Sequence, residues 1–172
     1  MRIVRRSLGR LFETLPPQVH DRLNQRYGQY VLPDLRPYLG PTPWAPLRHP
    51  LSEATVGLFT TAGIHVRSQP GFTSEPDPTW RVVPEETPDG DLMITHEHYD
   101  HLDADRDPGI VFPLDLLRRV TGKLIGRLAA EQYGMMGFLG VQSQWRLLHR
   151  AVRTLAEQVR GSELEVALLT PG

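Results

Sequence analysis

The sequence predicts an α/β fold: a three-layer domain with a mostly parallel sheet, preceded by an N-terminal helical segment and a proline-rich arm. Three observations predict it. Residues 55–61 are an unbroken apolar or β-branched run, and residues 164–169 are apolar but for Glu165, the pattern of strands buried in a sheet. Segments of helical period lie between the candidate strands, which implies parallel strands joined by right-handed crossovers. The length of 172 residues, 40% apolar and 23% charged, suits one globular domain with a sizeable core.

In chain order, Leu8, Leu11, Phe12 and Leu15 share a helical face, and Val19 and Leu23 continue it beyond Pro16 and Pro17. Residues 33–50 hold six prolines with Trp44 among them, which excludes a helix or a central strand. We read that stretch as an extended arm anchored by Trp44. Residues 1–53 therefore form the helices and arm, and residues 54–172 the α/β domain, the whole being one globular unit.

The first strand, 55–61, ends at a turn over Ala62 and Gly63. A short edge strand is expected at 80–83. A second strand, 91–95, runs straight into His96. A third, 110–112, meets Pro113, which opens a helix over 114–120. Another short helix is expected over 124–132, then a glycine-rich loop at 134–140. Val141, Trp145, Leu148, Val152, Leu155 and Val159 mark a long amphipathic helix stopped by Gly161. The last strand, 164–169, is expected inside the parallel sheet.

Composition excludes some functions. The chain has no cysteine, so it offers no disulfide, no thiolate metal ligand and no thiol nucleophile of its own. A formal net charge of −1 gives no general attraction to nucleic acid or anionic membranes. No run approaches the roughly 20 apolar residues of a membrane span, and no signal peptide follows the basic start. The expectation is a cytoplasmic protein. Of 19 basic residues only Lys123 is lysine, a bias of genome or habitat that carries no function.

Charge is uneven along the chain. Residues 71–110 carry 11 acids against 2 arginines, and three of the seven histidines. The densest cluster is Thr95-His96-Glu97-His98-Tyr99-Asp100-His101, followed by Asp103, Asp105, Arg106 and Asp107. Imidazoles and carboxylates at this spacing serve as acid–base pairs, because neighbouring carboxylates raise a histidine's pKa. The same donors bind Zn, Fe or Mn. The bland alternative is a polar loop whose side chains cap one another and the next turn. Position favours function, since open α/β sheets bind ligands beyond the carboxyl ends of their strands. Gly63 and His65 follow the end of the first strand and Thr170 ends the last, so three strand ends are expected to converge. The candidate catalytic residues are His98, Asp100 and His101. The candidate substrate contacts are Gly63, His65, His96, Tyr99, Asp103, Asp105 and Arg106. A metal, if held, would sit at His96, His98 and His101.

Two resemblances bear on these residues. His96-x-His98-x-Asp100-His101, after the strand end LMIT, resembles the first metal motif of the metallo-β-lactamase superfamily, which implies a metal-dependent hydrolase. That superfamily needs further ligands downstream, and the later histidine here is His149, within the amphipathic helix. A broader resemblance runs from Ala54 to Pro171. The segments TTAGIHVRSQPGF, HEHYDHLDADRD with VFPLDLL, IGRLAAEQYGMMG and LEVALLTPG are similar, in order and spacing, to the selenoprotein B family of glycine, sarcosine, betaine and D-proline reductases. This resemblance implies reductive cleavage of a carbon–nitrogen bond in an amino acid or related amine. Electrons would come from dithiols through a selenocysteine or cysteine, within a complex of several subunits. In that family the redox residue follows the strand matching LEVALLTPG. One expectation is a nucleophile supplied beyond Gly172, through a selenocysteine codon or by another polypeptide; the competing one is a short family member that never carried the nucleophile and covers its last strand by self-association. Other reductase subunits or a thiol donor protein, and a homo-oligomer, are the expected partners. A small-molecule-binding protein without catalysis is the remaining alternative.

Overall fold

The computed structural model describes residues 45–73, 77–97, 99–136 and 145–172. From Pro46 onward they belong to one compact unit. The helices and arm expected before residue 45, Trp44 included, lie outside the described residues.

The main sheet is built on β1 (Thr55–Thr60), all six of whose residues are buried. One side of β1 is lined by β5 (Arg127–Leu128) and β6 (Glu131–Met135), both parallel to it. The other side pairs, also in parallel, with β7 (Val166–Thr170). β3 (Trp80–Pro84) adds to β6 in antiparallel register, as the edge strand the sequence predicts. The fold is thus α/β with a mostly parallel sheet.

The core lies against the Val56 and Leu58 face of β1, where Ile64, Val83, Leu92, Phe112, Leu114 and Leu117 meet. Phe112 and Leu114 are fully buried; each such side chain contributes roughly 1.5–3 kcal/mol. Leu114 and Leu117 come from α2 (Leu114–Val120), entered through Pro113 as expected. Arg118 of α2 donates to the carbonyls of Glu85 (3.0 Å from Nε) and Thr87 (2.7 Å), which ties the helix to the chain after β3. On the opposite face, Phe59 stacks on Tyr133 with ring centroids 4.8 Å apart.

Four expectations need correction. Residues 124–132 form no helix; they carry β5 and the start of β6. Helix propensity there is worth a few tenths of a kcal/mol per residue. It is outweighed by ladder bonds to β1, among them Arg127 N–H to the Ala54 carbonyl (3.2 Å) and Ala129 N–H to that of Val56 (2.8 Å). Between β5 and β6 the ladder breaks, and the buried Gln132 amide fills the gap. Leu58 N–H donates to its Oε1 and its Nε2 donates to the Ala129 carbonyl, both at 2.6 Å.

Residues 110–112 are likewise no strand. A 3-10 turn at Pro108–Ile110, capped by Asp107 Oδ1 on Gly109 N–H (3.0 Å), delivers Val111 and Phe112 as a buried plug. The expected strand at 91–95 exists as β4 (Leu92–Ile94), but in a second sheet. It pairs antiparallel with β2 (Ile64–Val66), His65 opposite Met93. The cause is the turn after β1: Gly63 at φ +73° swings the chain out of the main sheet before β2 begins.

The last strand keeps its parallel pairing but not its expected burial. Among the described residues β7 pairs with β1 alone, and Leu169 is 72% exposed. Before it, α3 (Trp145–Arg160) is the expected amphipathic helix, with Ala151, Leu155 and Val159 half-buried. Among the described residues no helix is long and apolar enough to cross a membrane.

Candidate functional site

The carboxyl ends of β1, β6 and β7 lie side by side. Thr61 N–H donates to the Thr170 carbonyl (3.2 Å) and Gly63 N–H to that of Met135 (2.8 Å). The hydroxyls of Thr60 (3.0 Å) and Thr170 (2.7 Å) both donate to the Val111 carbonyl, pinning the Phe112 plug beneath. The segment Ala62-Gly63 thus forms a fixed platform across the ends of β1, β6 and β7; the sequence argument expected the end of the 91–95 strand in the same sheet, where β6 stands instead.

The histidine cluster is brought to this platform from the second sheet. Thr95 N–H donates to the Gly63 carbonyl (3.0 Å). A Cβ on Gly63 would lie 2.6 Å from the Thr95 carbonyl oxygen and 3.1 Å from His96 Cβ, so only glycine allows this approach. The Tyr99 hydroxyl donates to the Ala62 carbonyl at 3.0 Å. The loop from Thr95 to Tyr99 is therefore fastened at both ends to two adjacent platform residues.

His96 is buried, and its ring meets Tyr99 edge to face at 4.7 Å between centroids. The His101 ring lies 5.5 Å from Tyr99 on a tilted approach. Burial, with the nearby Asp105 charge adding to it, pushes the Tyr99 phenol up to about 12. Tyr99 is therefore a hydrogen-bond donor at neutral pH and no base.

The acidic rim is organised locally. Asp100 Oδ1 accepts from Leu102 N–H (3.1 Å) at the start of α1 (Leu102–Arg106). His101 Nδ1 lies 2.8 Å from Asp105 Oδ2, one helical turn on. Arg106 pairs with Asp103 at 3.1 Å, both almost wholly exposed, a pair worth about 0–1 kcal/mol. Mutual capping thus occupies one oxygen each of Asp100, Asp103 and Asp105 while leaving the rim open to solvent.

His65 sits deeper than a substrate contact at the rim, at 3% exposure. Its Nδ1 is 2.9 Å from the Val66 carbonyl, so that nitrogen carries the proton, and Nε2 accepts from the Thr95 hydroxyl at 2.8 Å. The structure therefore brings Gly63, His96, Tyr99, His101 and Asp105 together, with His65 behind Thr95. His98, named as both a catalytic residue and a metal ligand, lies outside the described residues, as does most of the glycine-rich loop. Among the described residues no three histidine, aspartate or glutamate side chains are grouped to hold a metal ion. Reading by residue type named Thr95 and Ala62 within their segments but gave neither a role in the site. Thr95 is signalled by its place at a strand end, whereas Ala62 contributes only a carbonyl, for which sequence holds no sign.

Comparison with known proteins adds one relative. The chain is 31% identical over 137 residues to a D-proline reductase subunit gamma from Acetoanaerobium sticklandii, an alignment covering 79% of this chain. No family model and no solved structure matches. The chain spans 56% of the length of that curated relative. By this likeness the chain is a relative of a reductase subunit.

Proposed function

We propose that this chain supplies the substrate-binding part of a reductase that cleaves the carbon–nitrogen bond of an amino acid or related amine. The observation that carries the reading is its 31% identity to a D-proline reductase subunit. The strand-end platform, with an acidic rim suited to an ammonium group, supports it.

Reductive cleavage consumes two electrons and two protons: the carbon–nitrogen bond breaks, the nitrogen takes one proton, and the carbon takes the other. A dithiol supplies the electrons and becomes a disulfide. The attacking thiolate or selenolate must lie outside these 172 residues, which contain no cysteine. Such a nucleophile requires another subunit, a thiol donor protein or further chain. Asp100, Asp103 and Asp105 hold the substrate ammonium, and Gly63 and Tyr99 line the floor. His101, paired with Asp105, and His98 carry protons to the leaving nitrogen.

Calorimetric titration with D-proline, glycine, sarcosine and betaine tests the reading. One of the four should bind, and the double variant Asp100→Asn/Asp105→Asn should weaken it at least tenfold, the loss of one or two charge-assisted contacts. A folded wild-type chain that binds none of them overturns it.

A further inference from the structure

We propose that His65 and Thr95 are a positioning pair that sets where the His96–Tyr99 unit stands on the strand-end platform. The inference rests on the reading that residues 95–101 border the substrate site.

Thr95 is the last residue before the cluster, and its conformation fixes the direction in which His96 leaves β4. Two hydrogen bonds hold it: its N–H donates to the Gly63 carbonyl, and its hydroxyl donates to His65 Nε2. A Cβ on Gly71 would lie 2.8 Å from Thr95 Oγ1, so a glycine at 71 leaves the room this hydroxyl occupies.

His65 is itself held. Its Nδ1 proton is spent on Val66, which leaves Nε2 as an acceptor and makes the bond from Thr95 directional. The ring packs edge-on to buried Phe72 at 6.2 Å, and the Arg81 guanidinium lies over Phe72 at 4.4 Å. Arg81 in turn donates to the carbonyls of Pro70 (2.8 Å) and Gly71 (3.1 Å). A supporting shell therefore runs from Arg81 through Phe72 and His65 to Thr95. Hydrogen-bonded shells of this kind orient functional groups that the shell itself never lets near a ligand. With both ring nitrogens engaged and the ring buried, His65 acts through Thr95 and does not touch substrate.

The test compares Thr95→Val, which removes the hydroxyl but keeps the shape, with Thr95→Ser, which keeps the hydroxyl. Ring resonances of His65, His96 and Tyr99 are followed by NMR in the full chain, with and without D-proline. Thr95→Val should move the His65 Nε2 signal and shift the His96 and Tyr99 ring signals. Thr95→Ser should restore all three. D-proline affinity should fall roughly tenfold in Thr95→Val alone. His96 and Tyr99 signals that stay at wild-type positions while His65 Nε2 moves overturn the positioning role. Should Thr95→Val not fold, His65→Phe, which keeps an aromatic ring against Phe72 and removes the acceptor, is read by the His96 and Tyr99 signals alone: a shift supports the positioning role and wild-type positions overturn it. Wild-type signals that ignore D-proline overturn the assignment of the site instead, and the Thr95 comparison still decides the positioning role.

Discussion

β1 and β7 are neighbours in one sheet, parallel, paired over five residues and similar in composition, yet they live in different surroundings. Every residue of β1 is buried, whereas Ala167, Leu168 and Leu169 of β7 are exposed. Ladders on both sides and a core on one face enclose β1. β7 has β1 on one side alone among the described residues. An apolar run states what burial a strand can accept; what its neighbours supply is a separate matter. An exposed apolar strand on a sheet edge is also a ready surface for further pairing.

The sharpest way to break this contrast is Leu58→Ala. Leu58 is fully buried in β1, and the substitution should cost about 3 kcal/mol in guanidinium unfolding, transfer and cavity costs together. A loss under about 1 kcal/mol, the size expected of an open surface site, would mean that β1 is not the centre of the core.

A smaller effect tests how β1 keeps its ladder where β5 and β6 part. Gln132→Met keeps the volume but removes the acceptor for Leu58 N–H and the donor for the Ala129 carbonyl. The expected loss is about 2 kcal/mol, with faster hydrogen exchange at the Leu58 amide. Unchanged exchange there would show that main chain, not the side-chain amide, protects it.

The smallest effect belongs to β7. Leu169→Ser should leave stability within about 0.5 kcal/mol of wild type and reduce self-association in light scattering. A loss well beyond that figure would show that Leu169 is covered in solution, and the contrast with β1 would narrow.

Legibility followed the range of the forces involved. β1, β3 and α2 were readable because each is decided locally, by a β-branched run, an edge segment or a proline at the first turn. The helix expected over 124–132 failed because residues that suit a helix in isolation, Ala129 and Ala130 among them, lie in a stretch whose Arg127 and Ala129 N–H groups donate to the Ala54 and Val56 carbonyls in the fold. Residues 110–112 looked like a strand, but Pro108 and the Asp107 cap turned them into a plug. β4 was found, but its partner was not. At the site, the cluster at 96–105 was visible by density alone. The burial of His65, and the part played by Thr95, were not.

By itself the sequence determined the absence of a thiol nucleophile, the α/β class, and the acidic, histidine-rich segment after a strand. These are properties of composition and of near neighbours. Only the tertiary structure decided that Leu58 draws on Gln132, 74 residues away, and that Tyr99 is anchored on Ala62, 37 residues away. It alone decided that β1 is enclosed while β7, among the described residues, has β1 as its one neighbour in the sheet. The physical reason is that such contacts depend on which main-chain groups the folded chain leaves unpaired, and every residue carries the same ones.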